Sequence, residues 1–282
     1  MTDAAKLRDL LRVKPGSRVK LSDHDPAATF GWNKEAAVTE MTKVDTRLTD
    51  LQDKMWAGAK GSVLVVLQGI DASGKDGTVS RVLTAFNPQG CTVAPFKVPT
   101  AEEAAHDFLW RIHKRTPGKG EIAIFNRSHY EQVLVVRVHK LEPRSVWSRH
   151  YDQINEFEEL LTESGTKVVK FFLHLSKEEQ RKRFLARIDT PEKNWKFNEG
   201  DVEERKRWTD YMHAYEQAMS ATSSKQAPWY IVPADDKENA RLIVSDLIVK
   251  TLEGLKISFP PVSAARRREL QAIRGRLVRK AR

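Results

Sequence analysis

The chain has 282 residues, 40% hydrophobic and 30% charged, enough apolar material to bury one large domain under a well-solvated surface. A single cysteine excludes an intramolecular disulfide, and no apolar run is long enough to span a membrane as a helix. The net charge of +10 points to a polyanionic partner and leaves nucleic acid, an anionic membrane surface and a phosphate polymer open.

In chain order, Met1 to Lys20 mixes acids and bases without an apolar stretch, so no signal peptide is expected. With the lone Cys91, this predicts a cytoplasmic protein. Residues 1–33 read as irregular, broken by Pro15, Gly16, Pro26 and Gly31. Lys34 to Ala59 reads as a helix, because Met41, Val44, Leu48, Leu51 and Met55 recur three and four apart and line one face. That stripe either docks on the chain's own main domain or makes a subunit contact.

From Gly61 onward, apolar runs alternate with helix-period segments. The runs are Ser62 to Leu67, Thr92 to Phe96, Glu121 to Phe125, Val168 to Leu175 and Trp229 to Val232. Continuous runs of this kind predict strands buried on both faces of a parallel sheet, with helices as the crossovers. Pro143 sits near a helix start, and Ser176 with Glu179 has capping-box spacing. The expected fold is a three-layer α/β/α sandwich, with ligands at the C-terminal ends of its strands. Residues 1–60 are expected as an N-terminal extension, 61–260 as the main domain with a lid at about 176–220, and 261–282 as a basic tail.

The strongest chemical signal is Gly69-Ile70-Asp71-Ala72-Ser73-Gly74-Lys75, between a strand and a helix carrying Val79, Val82 and Leu83. That is the context a phosphate-binding P-loop requires. Glycines let the backbone wrap phosphate oxygens, and successive amides form an anion nest. The helix aims its positive end there, and Lys75 adds a full charge. Asp76, Gly77 and Thr78 complete the phosphate-binding stretch. Asp76 stands where a magnesium-binding Ser or Thr is usual. Asp71, inside the loop, is a candidate magnesium ligand or a group that orients or deprotonates the attacking phosphate; the plainer alternative is that it caps loop amides.

Asn126-Arg127-Ser128 follows the strand Glu121 to Phe125, where a Walker-B acid would sit. A neutral Asn126 is a poorer metal ligand than Asp. Arg127 is positioned to neutralise charge during transfer, or else to pair with a structural acid. Glu131 lies one turn on, facing the same crevice or solvent. A basic stretch follows, with Arg183 and Arg187 four apart on one helix face and Lys193 and Lys196 beyond. Ile188 to Gly200 reads as a mobile loop that closes a lid over phosphates, or as a solvated charged face. The histidines show no zinc-type spacing.

These motifs, together with Phe125-Asn126-Arg127-Ser128-His129-Tyr130-Glu131, Asn194-Trp195-Lys196-Phe197, Pro228-Trp229-Tyr230 and Pro233-Ala234-Asp235-Asp236-Lys237, resemble the polyphosphate kinase 2 family over about Gly31 to Leu255. The resemblance implies a P-loop kinase fold with a helical lid, Mg2+ dependence, and inorganic polyphosphate as phosphoryl donor or acceptor. It implies catalytic roles for Asp71, Lys75 and Arg127, and a basic lid containing Arg183 and Arg187. Asn126 with Glu131 resembles the subgroup that accepts both nucleoside mono- and diphosphates. Adenine nucleotides are the expected partners, with guanine as an alternative, and a homo-oligomer is expected. A nucleotide kinase of thymidylate-kinase type is the rival enzyme. A nucleic-acid-binding P-loop protein is the rival from another class; no accompanying nucleic-acid motif supports it, and no membrane partner is expected.

Overall fold

The computed structural model describes residues 4–279. Five strands, β1 Ser62–Gln68, β2 Cys91–Pro95, β3 Ile122–Asn126, β4 Thr166–His174 and β5 Trp229–Pro233, form one parallel sheet in the order β2-β3-β1-β4-β5. Their bounds fall within two residues of the apolar runs. The central strands are buried on both faces, which is why they read as continuous rather than alternating.

Helices cover both faces. On one, the stripe Met41, Val44, Leu48 and Met55 of helix Lys34–Gly58 is buried in the same core as Val63, Val65, Leu242 and Ile248. Each such side chain contributes about 1.5–3 kcal/mol on burial. The stripe is therefore consumed by the chain's own core. Asn33 caps this helix by accepting from the Ala36 amide, and Ala59, at φ 44°, ends it. Helix Lys237–Glu253 packs on the same side, with its first amides capped by Asp236.

The opposite core holds a buried charged cluster. Lys170 of β4 donates to Glu158, to Tyr130 Oη at 2.9 Å and to the Thr222 carbonyl at 2.8 Å. Tyr130 Oη donates to Glu158 at 2.8 Å, and Trp229 Nε1 to Thr222 Oγ1 at 2.9 Å. Burial alone would raise the Glu158 pKa, but Lys170 and His129 hold it below the usual carboxylate range. Such full pairing is what makes buried charge tolerable. The cluster ties β4 and helices His150–Glu163 and Trp208–Thr222 to the segment after β3.

Three local expectations change. Residues Ala4–Leu11 are helical, burying Leu7 and Leu11 in the core shared with Tyr230, and an Arg12–Tyr230 bridge covers the edge of β5. Eight residues are too few for a period to stand out from the breakers that follow. Ser176 does cap Glu179, but its own amide donates to Asp235 at 2.7 Å while Glu179 turns to Arg183. The stretch expected as a loop contains a 3-10 helix at Pro191–Lys196, tied back by Asn194, and helix Glu199–Lys206 begins within it. Among the described residues, no helix is long and apolar enough to cross a membrane.

Candidate active site

β1 ends at Gln68 and the chain turns at Gly69, φ 155°. A Cβ there would lie 2.7 Å from Ser73 Oγ and 3.0 Å from the Leu173 carbonyl, so only glycine fits. Ala72 (φ 62°) and Gly74 (φ 103°) are also left-handed, and helix Lys75–Leu83 starts directly behind them. Gly77 and the buried Thr78 form its first turn. Ser73 is buried, and its Oγ has no hydrogen-bond partner among the described residues.

Lys75 is 7% exposed. Its Nζ donates to the carbonyls of Gly69 at 2.6 Å and Ile70 at 3.0 Å. Burial pulls its pKa down to about 8, and Arg127 adds to this, against the pull of Asp71, Glu131 and Asp76.

The sheet order brings the second motif to this loop. β3 lies beside β1 with Asn126 opposite Leu67, and the Arg127 amide donates to the Leu67 carbonyl at 3.0 Å. Arg127 is left-handed at φ 63°. Its Nη2 donates to Asp71 Oδ1 at 2.9 Å, and Nη1 lies 3.8 Å from Glu131 Oε2. Burial works against its charge, but Glu131 and Asp71 outweigh it. Glu131 accepts from Gln68 Nε2 at 3.0 Å; burial pushes its carboxyl above the usual range, against Arg127. Asn126 Nδ2 donates to Asp76 Oδ1 at 2.6 Å. The two departures from the common P-loop pattern are thus bonded to each other. The carboxylate has moved from the strand end to the helix start.

Arg183 is not an exposed lid cation. It is buried, and its guanidinium donates to Glu179 and to the carbonyls of Ala72, Ser73, Ala234 and Asp235 at 2.7–3.3 Å. It braces the phosphate loop from behind. Gln180 does similar work, donating to the Asp71 carbonyl at 3.0 Å. Arg187, Lys193 and Lys196 stay outside the cluster. Arg187 Nη1 donates to the Lys196 carbonyl at 3.3 Å and lies 3.6 Å from Asp201, while Lys196 Nζ sits 4.9 Å from the exposed Trp195 ring.

Arg183→Ala would strand two buried carbonyls, those of Ser73 and Ala234, each costing about 1–3 kcal/mol, and two half-buried ones, those of Ala72 and Asp235. We expect at least about 3 kcal/mol of lost stability in urea unfolding, with no rescue by Lys, which lacks the fork. Arg187→Glu, which loses one half-exposed pair with Asp201, should cost no more than about 1 kcal/mol. It should instead reduce the salt dependence of binding to a polyanionic ligand, because fewer counterions are released.

A cleft lies over Asp71, Arg127 and Glu131, walled by Leu134, Gln180, Glu204, Trp208, Tyr211 and Tyr215, and encloses about 40 Å³. Tyr211 Oη donates to Glu204 at 2.5 Å. Sequence reasoning did not find Gln68, Gln180, Glu204 or the aromatics. Trp208, Tyr211 and Tyr215 share one helix face, but such a stripe reads as ordinary core. Among the described residues, no three His, Cys, Asp or Glu side chains converge to hold a metal by themselves.

Comparison with known proteins agrees with this geometry. The model of the family described as Polyphosphate kinase 2 matches residues 31–260. The chain is 54% identical to an ADP-polyphosphate phosphotransferase of Rhodopseudomonas palustris, covering 95% of this chain and 97% of that one. It is 48% identical to an AMP/ADP-polyphosphate phosphotransferase of Meiothermus ruber, covering 90% and 96%. The crystal structure of polyphosphate kinase 2 from Arthrobacter aurescens TC1 superposes with a TM-score of 0.89 at 42% identity, over 94% of this chain and 96% of that one. With the motifs in order and a family match over most of its length, this chain belongs to the polyphosphate kinase 2 family.

Proposed function

We propose that the protein transfers a phosphoryl group between inorganic polyphosphate and nucleoside mono- and diphosphates, taking AMP to ADP and ADP to ATP. The observation that carries this reading is the convergence of Lys75 and Arg127 with Asp71, Asp76 and Glu131 around a glycine-rich loop at a helix start. The unpartnered Ser73 Oγ beneath the loop suits a phosphate oxygen. Phosphoryl transfer asks for positioning and charge stabilisation rather than protein covalent chemistry.

In this reading the terminal phosphoryl of the polymer rests on the loop from Gly69 to Thr78. Lys75 and Arg127 stabilise its equatorial oxygens, and Asp71, held by Arg127, orients the attacking nucleotide phosphate. The donor set fits magnesium: Asp71 and Asp76 offer hard oxygens, and this ion is commonly held by one or two carboxylates with substrate phosphates and water. Bound there, the metal would neutralise phosphate charge.

A cleft of about 40 Å³ holds water, not a nucleotide. In this reading the segment carrying Glu204 and Tyr211 acts as a lid that opens for substrate to enter. Arg187, Lys193 and Lys196, just before that lid in the chain, steer the polymer. Adenine is the base we expect, with guanine second. We place the protein in the cytoplasm, since a chain with the lone Cys91 relies on no intramolecular disulfide and suits a reducing compartment. Nucleic acid is not a partner in this reading.

The test mixes the protein with magnesium, polyphosphate and AMP or ADP, without ATP. New ADP and ATP support the reading; a requirement for ATP as donor returns it to a nucleotide kinase of thymidylate-kinase type. Acceptor choice tests the site itself. Asn126→Asp would set a second carboxylate 2.6 Å from Asp76 and repel an incoming phosphate. It should shift the AMP-to-ADP ratio of kcat/KM by about tenfold or more, the scale of one lost polar contact. Adding Asp76→Asn restores one acid to the pair and should recover most of the loss. If neither change moves the ratio, this pair does not select the acceptor.

A further inference from the structure

Two features lie outside the catalytic reading. The first is a groove of about 810 Å³ on the sheet face opposite helix Lys34–Gly58. Gln132 and Val136 form one wall, so it backs onto the segment that carries Glu131 into the catalytic cleft. On a chain with net charge +10, the groove is lined by the carboxylates Glu103, Asp107, Glu142 and Glu156, with His150 3.9 Å from Glu142 and His106 and His113 further along, against a single guanidinium, that of Arg111. Arg111 is itself buried and spent on Glu103 and the Lys97 carbonyl. Between the acids lie apolar side chains, among them Leu141 at 65% and Leu160 at 52% exposure. Such a surface repels polyphosphate and calls for a cationic occupant with an apolar stripe.

The second feature is helix Ala264–Arg279. From Ala264 to Val278 it is exposed, apart from a half-buried Ile273. It carries six arginines against one glutamate. Leu270, Ile273 and Leu277 recur at three and four, with Arg266 and Arg274 one turn to either side of Leu270 on the same face. Its charge and stripe complement the groove.

The connection says which copy supplies it. Ile257 packs into the core on the sheet face away from the groove, and the Ser258 carbonyl approaches Gly58. Phe259 to Ser263 then runs exposed through Pro260-Pro261, a stiff and extended pair. To reach its own groove the helix must round the molecule from the far face. To reach another copy it need only project.

We propose that helix Ala264–Arg279 seats in the acidic groove of a second copy. Two such contacts, exchanged about a two-fold axis, close a dimer. Leu270, Ile273 and Leu277 cover Leu141 and Leu160, and the arginines meet Glu142 and Glu156.

Sedimentation analysis of the full chain tests this. The wild type should sediment as a dimer or a multiple of it. Ile273→Asp with Leu277→Asp should halve that mass, as should Glu142→Arg with Glu156→Arg. Combining the groove reversal with Arg274→Glu and Arg276→Glu should restore association. A geometric check mixes two Cys91→Ser proteins, one with Ile273→Cys and one with Leu141→Cys, and oxidises them; a cross-linked heterodimer is expected. A monomeric wild type, or a mass unchanged by the tail variant, overturns the proposal. So does a cross-link that forms only within one chain when both cysteines are on it. A tail whose loss weakens retention on polyphosphate beads or anionic vesicles, while mass is unchanged, also overturns it and assigns the helix to a polyanion.

Discussion

Lys75→Ala should reduce turnover by a factor of order 10² or more while the protein stays folded. That is the scale on which one positioned charge at a transferring phosphoryl group acts. The side chain donates only to the Gly69 and Ile70 carbonyls beside it, so the sheet does not depend on it. The wild-type pH profile offers a second reading of the same group. Burial holds the free-enzyme pKa at about 8, below the usual lysine value. The charged form is therefore lost as pH rises through about 8, and kcat/KM should fall about tenfold per unit above that point. Bound phosphate favours the ammonium, so kcat at saturation should hold to higher pH. For stability the sign is opposite. The unfolded chain binds the extra proton between about 8 and 10.5, so this group makes the fold more stable as pH rises through that window. A folded Lys75→Ala protein with near-normal turnover would sink the proposed site.

Arg127→Gly should lose activity by about 10²–10³-fold and no more than about 1 kcal/mol of stability, the scale of its partly exposed pair with Asp71. Arg127 occupies a left-handed conformation, which costs an L-residue about 1–2 kcal/mol and glycine almost nothing. Relief of that strain offsets the entropy glycine adds to the unfolded chain, about 0.5–1 kcal/mol. Both variants lose the Asp71 pair, but Arg127→Ala also keeps the strain, so it should be the less stable of the two and no more active. Paired urea unfolding and single-turnover transfer measure both quantities. If Arg127→Gly unfolds markedly earlier than wild type, the residue is held there for the fold rather than for the chemistry.

How much of this was legible in the chain differs element by element. The strand-loop-helix around Gly69 to Lys75 could be read directly, because its determinants are local: glycines at left-handed positions, an apolar run before and a helical period after. The same holds for the parallel sheet, since double burial leaves uninterrupted apolar runs. The stripe of helix Lys34–Gly58 was equally plain, though only packing showed that the chain's own core consumes it.

The site was legible as two motifs but not as one assembly. Asn126 and Asp76 lie fifty residues apart, and what joins them is the adjacency of β3 to β1, a property of sheet order that no local pattern encodes. Arg183 illustrates the limit most clearly. In sequence it is one cation among many in a basic run, indistinguishable from Arg187 one turn away. In the fold, the loop carbonyls and the chain after β5 converge on one guanidinium and leave the other half-exposed beside Asp201. Residue type and spacing determined which chemistry this protein carries. Tertiary structure decided which charges meet phosphate and which hold the loop that does, because burial and partner geometry depend on neighbours distant in the chain.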